Sequence, residues 1–207
     1  TGRVEQVLGR PGDMRAEGDA ILAEFGFPLK FLKHVEDECI SIEKTISEKE
    51  ISVRKDLRNL LTFTIDPNDA KDFDDAISFQ ILDTGNFEVG VHIADVTHYV
   101  TPGSEIEKEA KNRATSVYLV DRVIPMLPET LSNELCSLRP NEDKLTYSVI
   151  FELNVDAEIK KTWIGKTIIH SDHRFTYDEA QQIIESNSGL YHEELGVVNS
   201  LAKKLRL

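Results

Sequence analysis

Residues 61–81 read LTFTIDPNDAKDFDDAISFQI, and this stretch decides the fold of the chain. Phe63 and Ile65 before the acidic run, and Ile77, Phe79 and Ile81 after it, alternate with polar residues at the period of β-strands. Between them Asp66, Asp69, Asp72, Asp74 and Asp75 place five carboxylates within ten residues. The run is therefore expected as a loop suspended between two strands of one sheet. Gathering so many like charges is costly, because neighbouring carboxylates repel, raise one another's pKa and must be desolvated together. A solvated loop is the common reading of an Asp-rich stretch. The competing reading is a site for a hard divalent cation, since Mg²⁺ and Mn²⁺ prefer carboxylate and water oxygens. An EF-hand loop starting at Asp66 is disfavoured, because Lys71 and Ile77 stand where its glycine and bidentate glutamate belong. In an extended segment Asp72 and Asp74 share one side and Asp75 takes the other, so convergence requires a bend.

Outward from the run, strand-like alternation continues at Phe87–Ile93, with Asp83-Thr84-Gly85-Asn86 as the turn that joins it to Ile77–Ile81. Tyr147, Val149, Phe151, Leu153 and Val155 predict another strand, turning at Asp156-Ala157-Glu158 into a partner through Trp163 and Ile168. Helices are expected over 14–25, capped by Asp13 and ended by Gly26, and from Ser104, where Ser104 and Glu107 form a capping box. Thr176 and Glu179 form a second box that starts a helix near Tyr177 and ends before Asn187-Ser188-Gly189. Val35, Cys39, Ile42 and Ile46 recur at helical spacing, and the charged stretch SEKEISVRKDLR (47–58) reads as a connection. Hairpins with helices between them predict an α+β fold, a mixed or antiparallel sheet with flanking helices.

The chain has 207 residues, room for one sizeable core or a domain with a tail. Its 40% hydrophobic and 29% charged residues are those of a soluble globular protein, and no apolar run approaches the ~20 residues of a membrane span. Cys39 and Cys136 have no partner spacing and are expected as reduced thiols of a cytoplasmic protein. No initiator methionine opens the chain, and the helical pattern Leu195, Val198, Leu201, Leu205 runs to its end, so an excised piece of a longer protein is expected. The net charge of −13 argues against a nucleic-acid partner, because phosphate contacts need Lys and Arg.

The motifs point the other way. Asp66, Asp72, Asp74 and Asp75, followed by Ala76, resemble the four-aspartate signature of the ribonuclease II / exoribonuclease R family catalytic domain, the RNB domain. Further blocks match in the same order: RKDLR (54–58), VHIADV (91–96), TSVY (115–118), RVIPMLPE (122–129), LSNELCSLRPNE (131–142) and RFTYDEAQ (174–181). VLGRPGD (7–13) is similar to the segment leading out of the family's second cold-shock domain. The valine after Asp95 leans toward exoribonuclease R. The resemblance implies that residues 1–57 link a cold-shock domain to the catalytic domain, and that 58–207 are the amino-terminal part of the RNB domain. It implies processive 3′-to-5′ hydrolysis of single-stranded RNA to 5′-monophosphates by two-metal catalysis in the cytoplasm. Mg²⁺ is the expected cofactor, with Mn²⁺ as the alternative. Partners would be RNA and RNA-decay or ribosome-associated factors, with no membrane; oligomeric state stays open. The basic RNA-holding surface would then lie largely in flanking domains and in the later half of the catalytic domain.

Within that resemblance Asp66, Asp72 and Asp75 are candidate direct or water-mediated metal ligands. Asp74 serves the second metal or orients the water, and Asp69 is a bystander. Tyr118 matches the tyrosine that stacks on RNA near its 3′ end, although Val120 stands where many relatives have proline. Tyr177 matches a second channel tyrosine; its place at a helix start suits packing equally. His92 and Asp95 lie three apart on a strand and so face opposite sides, which disfavours a catalytic dyad. His170, Asp172 and His173 lack a cysteine partner for zinc, and Arg113 and Arg122 read as surface arginines rather than phosphate ligands. The alternative function is an inactive RNA-binding module, disfavoured because all four aspartates are retained.

Overall fold

The structure is a computed structural model that describes residues 2–4 and 7–206. In chain order its first elements are α1 (Met14–Glu24), α2 (Lys33–Ile40), α3 (Glu48–Ser52), β1 (Lys55–Asp56), β2 (Thr62–Asp66), β3 (Asp75–Ile81) and β4 (Phe87–Ala94). Then come α4 (Val96–Tyr99), α5 (Glu105–Arg113), β5 (Val117–Tyr118), β6 (Val123–Ile124) and a π-helical turn over Thr130–Leu135. Last are β7 (Asp143–Leu153), β8 (Ile159–His170), β9 (His173–Thr176), α6 (Tyr177–Ser186) and α7 (His192–Leu205). Two compact units interleave in sequence: residues up to 42 with 100–132, and residues 43–99 with those from 133 onward.

The first unit holds α1, α2, α5 and the β5–β6 hairpin. Asp13 caps α1 by accepting the Arg15 N–H (2.9 Å), and Gly26 follows the helix at φ 69°, where only glycine is unstrained. Glu38 of α2 accepts the Glu105 and Ile106 amides (2.7 and 3.1 Å), so one helix caps the next.

The second unit is a seven-stranded sheet in the order β1-β8-β7-β4-β3-β2-β9. β1 and β9 add parallel at the two edges and the interior pairs are antiparallel, which is the mixed sheet expected. The β3–β4 turn closes through Leu82 N–H to Asn86 C=O (2.9 Å), with Gly85 at φ 80°. α6 begins with the predicted capping box: Thr176 Oγ1 accepts from the Glu179 amide (3.1 Å), and Glu179 accepts from the Thr176 amide (2.8 Å). Phe63, Phe175, Ala180 and Leu195 make one core cluster, and Leu153, Ala157 and Leu201 another, seating α6 and α7 on one sheet face. The alternate positions are not turned to water. Thr62, Thr64, Ser78, His92, Thr146, Ser148 and Thr167 are all buried. At Gly90 a Cβ would lie 2.4 Å from Ser78 Oγ and 2.6 Å from His92 Nε2, so this face packs too closely for any side chain there.

Several expectations need correction. α2 stops at Ile40, leaving Ile42 and Ile46 outside it, because Ser41 folds its hydroxyl onto the Glu38 carbonyl (2.6 Å). Ser47 then caps the separate helix α3, accepting from the Glu50 amide (3.2 Å). The stretch 47–58 is thus not a bare connection: it holds α3 and the edge strand β1, with Arg54 buried between them. β7 runs over Asp143–Leu153 rather than 147–155, and Val155 is exposed beyond it. The capping box at α5 is half formed. Ser104 accepts from the Glu107 amide (3.0 Å), but Glu107 accepts from Gly103 N–H (2.7 Å) and not from Ser104. Among the described residues no helix is long and apolar enough to cross a membrane.

Candidate active site

Asp66 closes β2 and Asp75 opens β3, so two of the four motif aspartates stand on strands and two, Asp72 and Asp74, on the connection between them. That connection turns where the Ala70 amide donates to the Pro67 carbonyl (3.1 Å), and Asp69 is exposed at the turn. Distant residues then fasten it. Arg174 of β9 donates from Nη2 to the Pro67 carbonyl and lays its guanidinium 5.5 Å from the Phe73 ring centre. The Ser137 hydroxyl donates to the Lys71 carbonyl (3.0 Å) and accepts from the Phe73 amide (3.0 Å). The Leu138 amide donates to the Phe73 carbonyl (2.8 Å), and the Ala94 amide to that of Asp74 (2.9 Å). These bonds hold the backbone of the connection in place.

The electrostatics are those of crowded carboxylates. Asp66 is 8% exposed, and its Oδ2 is buried with no hydrogen-bond partner. Burial is the main force raising its pKa; the neighbouring Thr64 hydroxyl works against it, Asp75 and Asp72 push it further up, and Arg174 pulls it back. Asp74 is exposed as a residue, yet its carboxyl is raised as well, first by lost hydration and then by Asp72, Asp75 and Asp66. Asp66 and Asp74 therefore each lie within electrostatic reach of the other three. Among the described residues no three His, Cys, Asp or Glu side chains are gathered as a ready ligand set. The donor chemistry nevertheless fits a hard cation: all oxygen, mutually repelling, with one buried oxygen left unsatisfied. Ligation would require side-chain rotation on a backbone already held.

The other candidates separate. Tyr177 is the first residue of α6, 58% exposed, directly after Thr176, whose Cα pairs with that of Asp66. Tyr118 belongs to the other unit, on the β5–β6 hairpin, and is 72% exposed beside an exposed Val120. His92 and Asp95 do not pair. His92 bonds Ser148 Oγ (2.7 Å), and burial holds its imidazole neutral with a pKa of about 4. Asp95 meets Arg54 (2.7 Å) and Thr97 (2.6 Å). His170 bonds Asp143 (2.7 Å), Asp172 accepts from the Thr62 amide (2.8 Å) and His173 meets Phe175 edge to face with ring centres 4.4 Å apart, three separate duties. Arg113 is not the surface arginine expected: it is buried, bonded to Glu109 (2.8 Å) and 3.8 Å over the Phe31 ring. Arg122 pairs with Asp19 and Asp121. Arg174 and Ser137, given no role in the sequence reading, are the residues it missed. Both sat inside quoted blocks, but nothing local marks which of those residues reach the acidic loop.

The RNB domain matches residues 54–207 of this chain. DIS3-like exonuclease 2 of Xenopus tropicalis is 47% identical over 88% of the chain and 22% of its own length. Ribonuclease R 1 of Lactococcus lactis subsp. lactis is 41% identical over 97% of the chain and 24% of its own length. The chain thus spans about a quarter of the length of these relatives. Mycoplasma genitalium RNase R in complex with double-stranded RNA superposes with a TM-score of 0.88 at 32% identity, covering 98% of this chain and 37% of its own. The same enzyme with ribose-methylated single-stranded RNA gives 0.87 at 33% identity, covering 98% and 32%. The four aspartates on and between β2 and β3, the mixed sheet and these likenesses agree: this chain belongs to the RNB domain family.

Proposed function

We propose that this chain is the amino-terminal part of the catalytic domain of a larger exoribonuclease, which removes nucleotides hydrolytically and processively from the 3′ end of single-stranded RNA and releases 5′-monophosphates. The Asp66 carboxylate carries the reading. It is buried, raised in pKa and left with an unsatisfied oxygen, beside three further aspartates that press on it or on each other. A buried carboxylate is stable when it is paired or coordinates a metal. Asp66, Asp72 and Asp75 would hold the ion, and Asp74 would orient the attacking water or serve a second ion. Bound Mg²⁺, or Mn²⁺ in its place, supplies a water of lowered pKa and stabilises charge developing on the phosphate. The exposed rings of Tyr118 and Tyr177 offer stacking surfaces for bases, each stack being worth ~1–3 kcal/mol. A cytoplasmic setting, where buried Cys39 and Cys136 remain thiols, belongs to the same proposal.

A gel time course with 5′-labelled, 3′-tailed RNA and Mg²⁺ tests this on the full-length protein, its Asp74→Asn variant and residues 1–207 alone. The full-length protein should shorten the RNA from the 3′ end, and Asp74→Asn should stop turnover while RNA binding persists. The 207-residue chain should show negligible cleavage, because the basic surface expected to hold RNA lies in flanking domains and in the later half of the catalytic domain. With its net charge of −13 it should also bind RNA weakly and lose it readily to salt. Internal cuts by the full-length protein would remove the exonuclease reading. Robust cleavage by residues 1–207 would show the machinery to be misplaced.

A further inference from the structure

We infer that Ser137 is a positioning residue for the candidate metal site: its buried hydroxyl clamps the backbone on both sides of Asp72 and sets where the carboxylates can meet a cation. The inference rests on the metal reading above. Ser137 has no solvent exposure. Its single proton goes to the Lys71 carbonyl and its oxygen accepts the Phe73 amide, both at 3.0 Å. The next residue, Leu138, is equally buried and donates to the Phe73 carbonyl at 2.8 Å. Three bonds from one buried dipeptide therefore bracket Asp72, across a sequence separation of about 65 residues.

The clamp matters because this is the segment most inclined to spread. Asp72 and Asp75 both repel Asp74, and a free loop would relieve the repulsion by moving its backbone apart. With Lys71 and Phe73 held, repulsion can act only through side-chain rotation. A cation then has rotamers to order but no loop to close, and ordering already completed in folding is not charged against binding. Ser137→Ala leaves the Phe73 amide and the Lys71 carbonyl without their partner and frees that backbone.

The test is Mn²⁺ titration by electron paramagnetic resonance on the 207-residue chain, together with amide exchange at Phe73. Ser137→Ala should weaken Mn²⁺ binding about tenfold, about 1.4 kcal/mol, and accelerate exchange at Phe73. Ser171→Ala is the matched control, since Ser171 is also fully buried but its hydroxyl has no hydrogen-bond partner. It should change neither quantity. Ser137→Cys, close in size with a weaker donor and acceptor, should fall between and covers the case where the alanine variant folds poorly. Equal Mn²⁺ affinity in wild type and folded Ser137 variants would overturn the inference, even if exchange at Phe73 had quickened. A wild-type chain that binds no Mn²⁺ would instead sink the metal reading, and unchanged Phe73 exchange in Ser137→Ala would then dispose of the clamp separately.

Discussion

Arg54→Met should cost the sheet-bearing unit about 3–5 kcal/mol, the range for breaking a buried ion pair by removing one partner. The geometry decides between that figure and the 0–1 kcal/mol typical of surface pairs. The Arg54 side chain is 0% exposed and that of Asp95 2%, with Nη2 2.7 Å from Asp95 Oδ2 and 2.6 Å from Glu50 Oε1. Nη1 also donates to the Thr146 carbonyl (3.2 Å). Without the guanidinium, Asp95 retains the Thr97 hydroxyl at 2.6 Å and Lys166 at 3.6 Å, the latter half exposed. Methionine refills the stem but cannot solvate the carboxylate. Asp95 also follows Ala94, whose amide holds the Asp74 carbonyl, so the ion pair anchors the strand end that supports the acidic loop.

Urea unfolding monitored through Trp163, the only tryptophan, reads the loss. With an m-value of about 2–3 kcal/mol/M, the midpoint should fall by roughly 1–2.5 M. The pH dependence gives a second reading. In the native chain burial pushes Asp95 up, but the bonds from Thr97 and Arg54 outweigh it and hold the carboxyl below its ordinary 3.8. A depressed folded pKa contributes stability that is present above the ordinary value and lost as pH falls through the folded one. In Arg54→Met burial acts with less opposition, the folded pKa rises, and lowering the pH from 7 should restore part of the lost stability. Adding Asp95→Asn should do the same at constant pH. A loss below about 1 kcal/mol, or a double variant as unstable as the sum of the singles, would refute the buried-pair argument.

Two further outcomes follow from the acidic loop. Millimolar Mn²⁺ or Mg²⁺ should raise the melting temperature, by the equivalent of about 2.7 kcal/mol at a hundredfold excess over Kd. Asp74→Asn with Asp75→Asn should abolish the gain, and an unchanged wild-type melting curve would tell against convergence. Asp66 and Asp74 are raised in the fold, by burial first, so their ionised forms oppose folding at neutral pH and this opposition fades as pH falls toward the ordinary 3.8. Asp66→Asn with Asp74→Asn should therefore be more stable than wild type at pH 7 without divalent ions; urea midpoints should show that advantage shrinking with acidification, and a pH-independent difference would contradict the raised values.

What was legible in the sequence was local. The strands either side of the acidic run followed from period-two alternation of Phe63, Ile65, Ile77 and Phe79, and the caps at Asp13, Ser104 and Thr176 from side chains that reach amides two or three residues on. The short edges β1 and β9 were invisible because two or four residues carry no period, and their pairing with β8 and β2 spans over 100 residues. β7 was displaced for a more instructive reason. Tyr147 and Val149 set the expected apolar face, yet the buried positions there are Thr146 and Ser148 while Tyr147 is 49% exposed, and the Thr146 and Ser148 hydroxyls meet Thr167 across the strands. Lys144 is buried too, satisfied by Glu142 (2.9 Å) and the Glu134 carbonyl (2.6 Å), so charge hid the true start of the strand.

The same buried polar face explains why the site was only half legible. Counting charges locates five aspartates, and the resemblance selects Asp66, Asp72, Asp74 and Asp75, but neither tells how far each is buried. The sheet makes them unequal. Asp66 lies on the alternation of Thr62 and Thr64, the buried polar face, and so loses its water before any cation is considered. Asp75 begins the next strand in the open, and Asp72 and Asp74 hang on a connection whose course is set by Ser137, Arg174 and Ala94. One desolvated carboxylate on a rigid strand, with two on a clamped loop and one at the start of the next strand, gives a cation a fixed point to bind and adjustable groups to complete its shell. That asymmetry predicts which substitution matters most for affinity. Asp66→Asn should weaken Mn²⁺ binding more than Asp72→Asn or Asp75→Asn, because the buried oxygen has no water to fall back on. Equal losses at all three in the same resonance titration would show that the strand position confers nothing beyond charge.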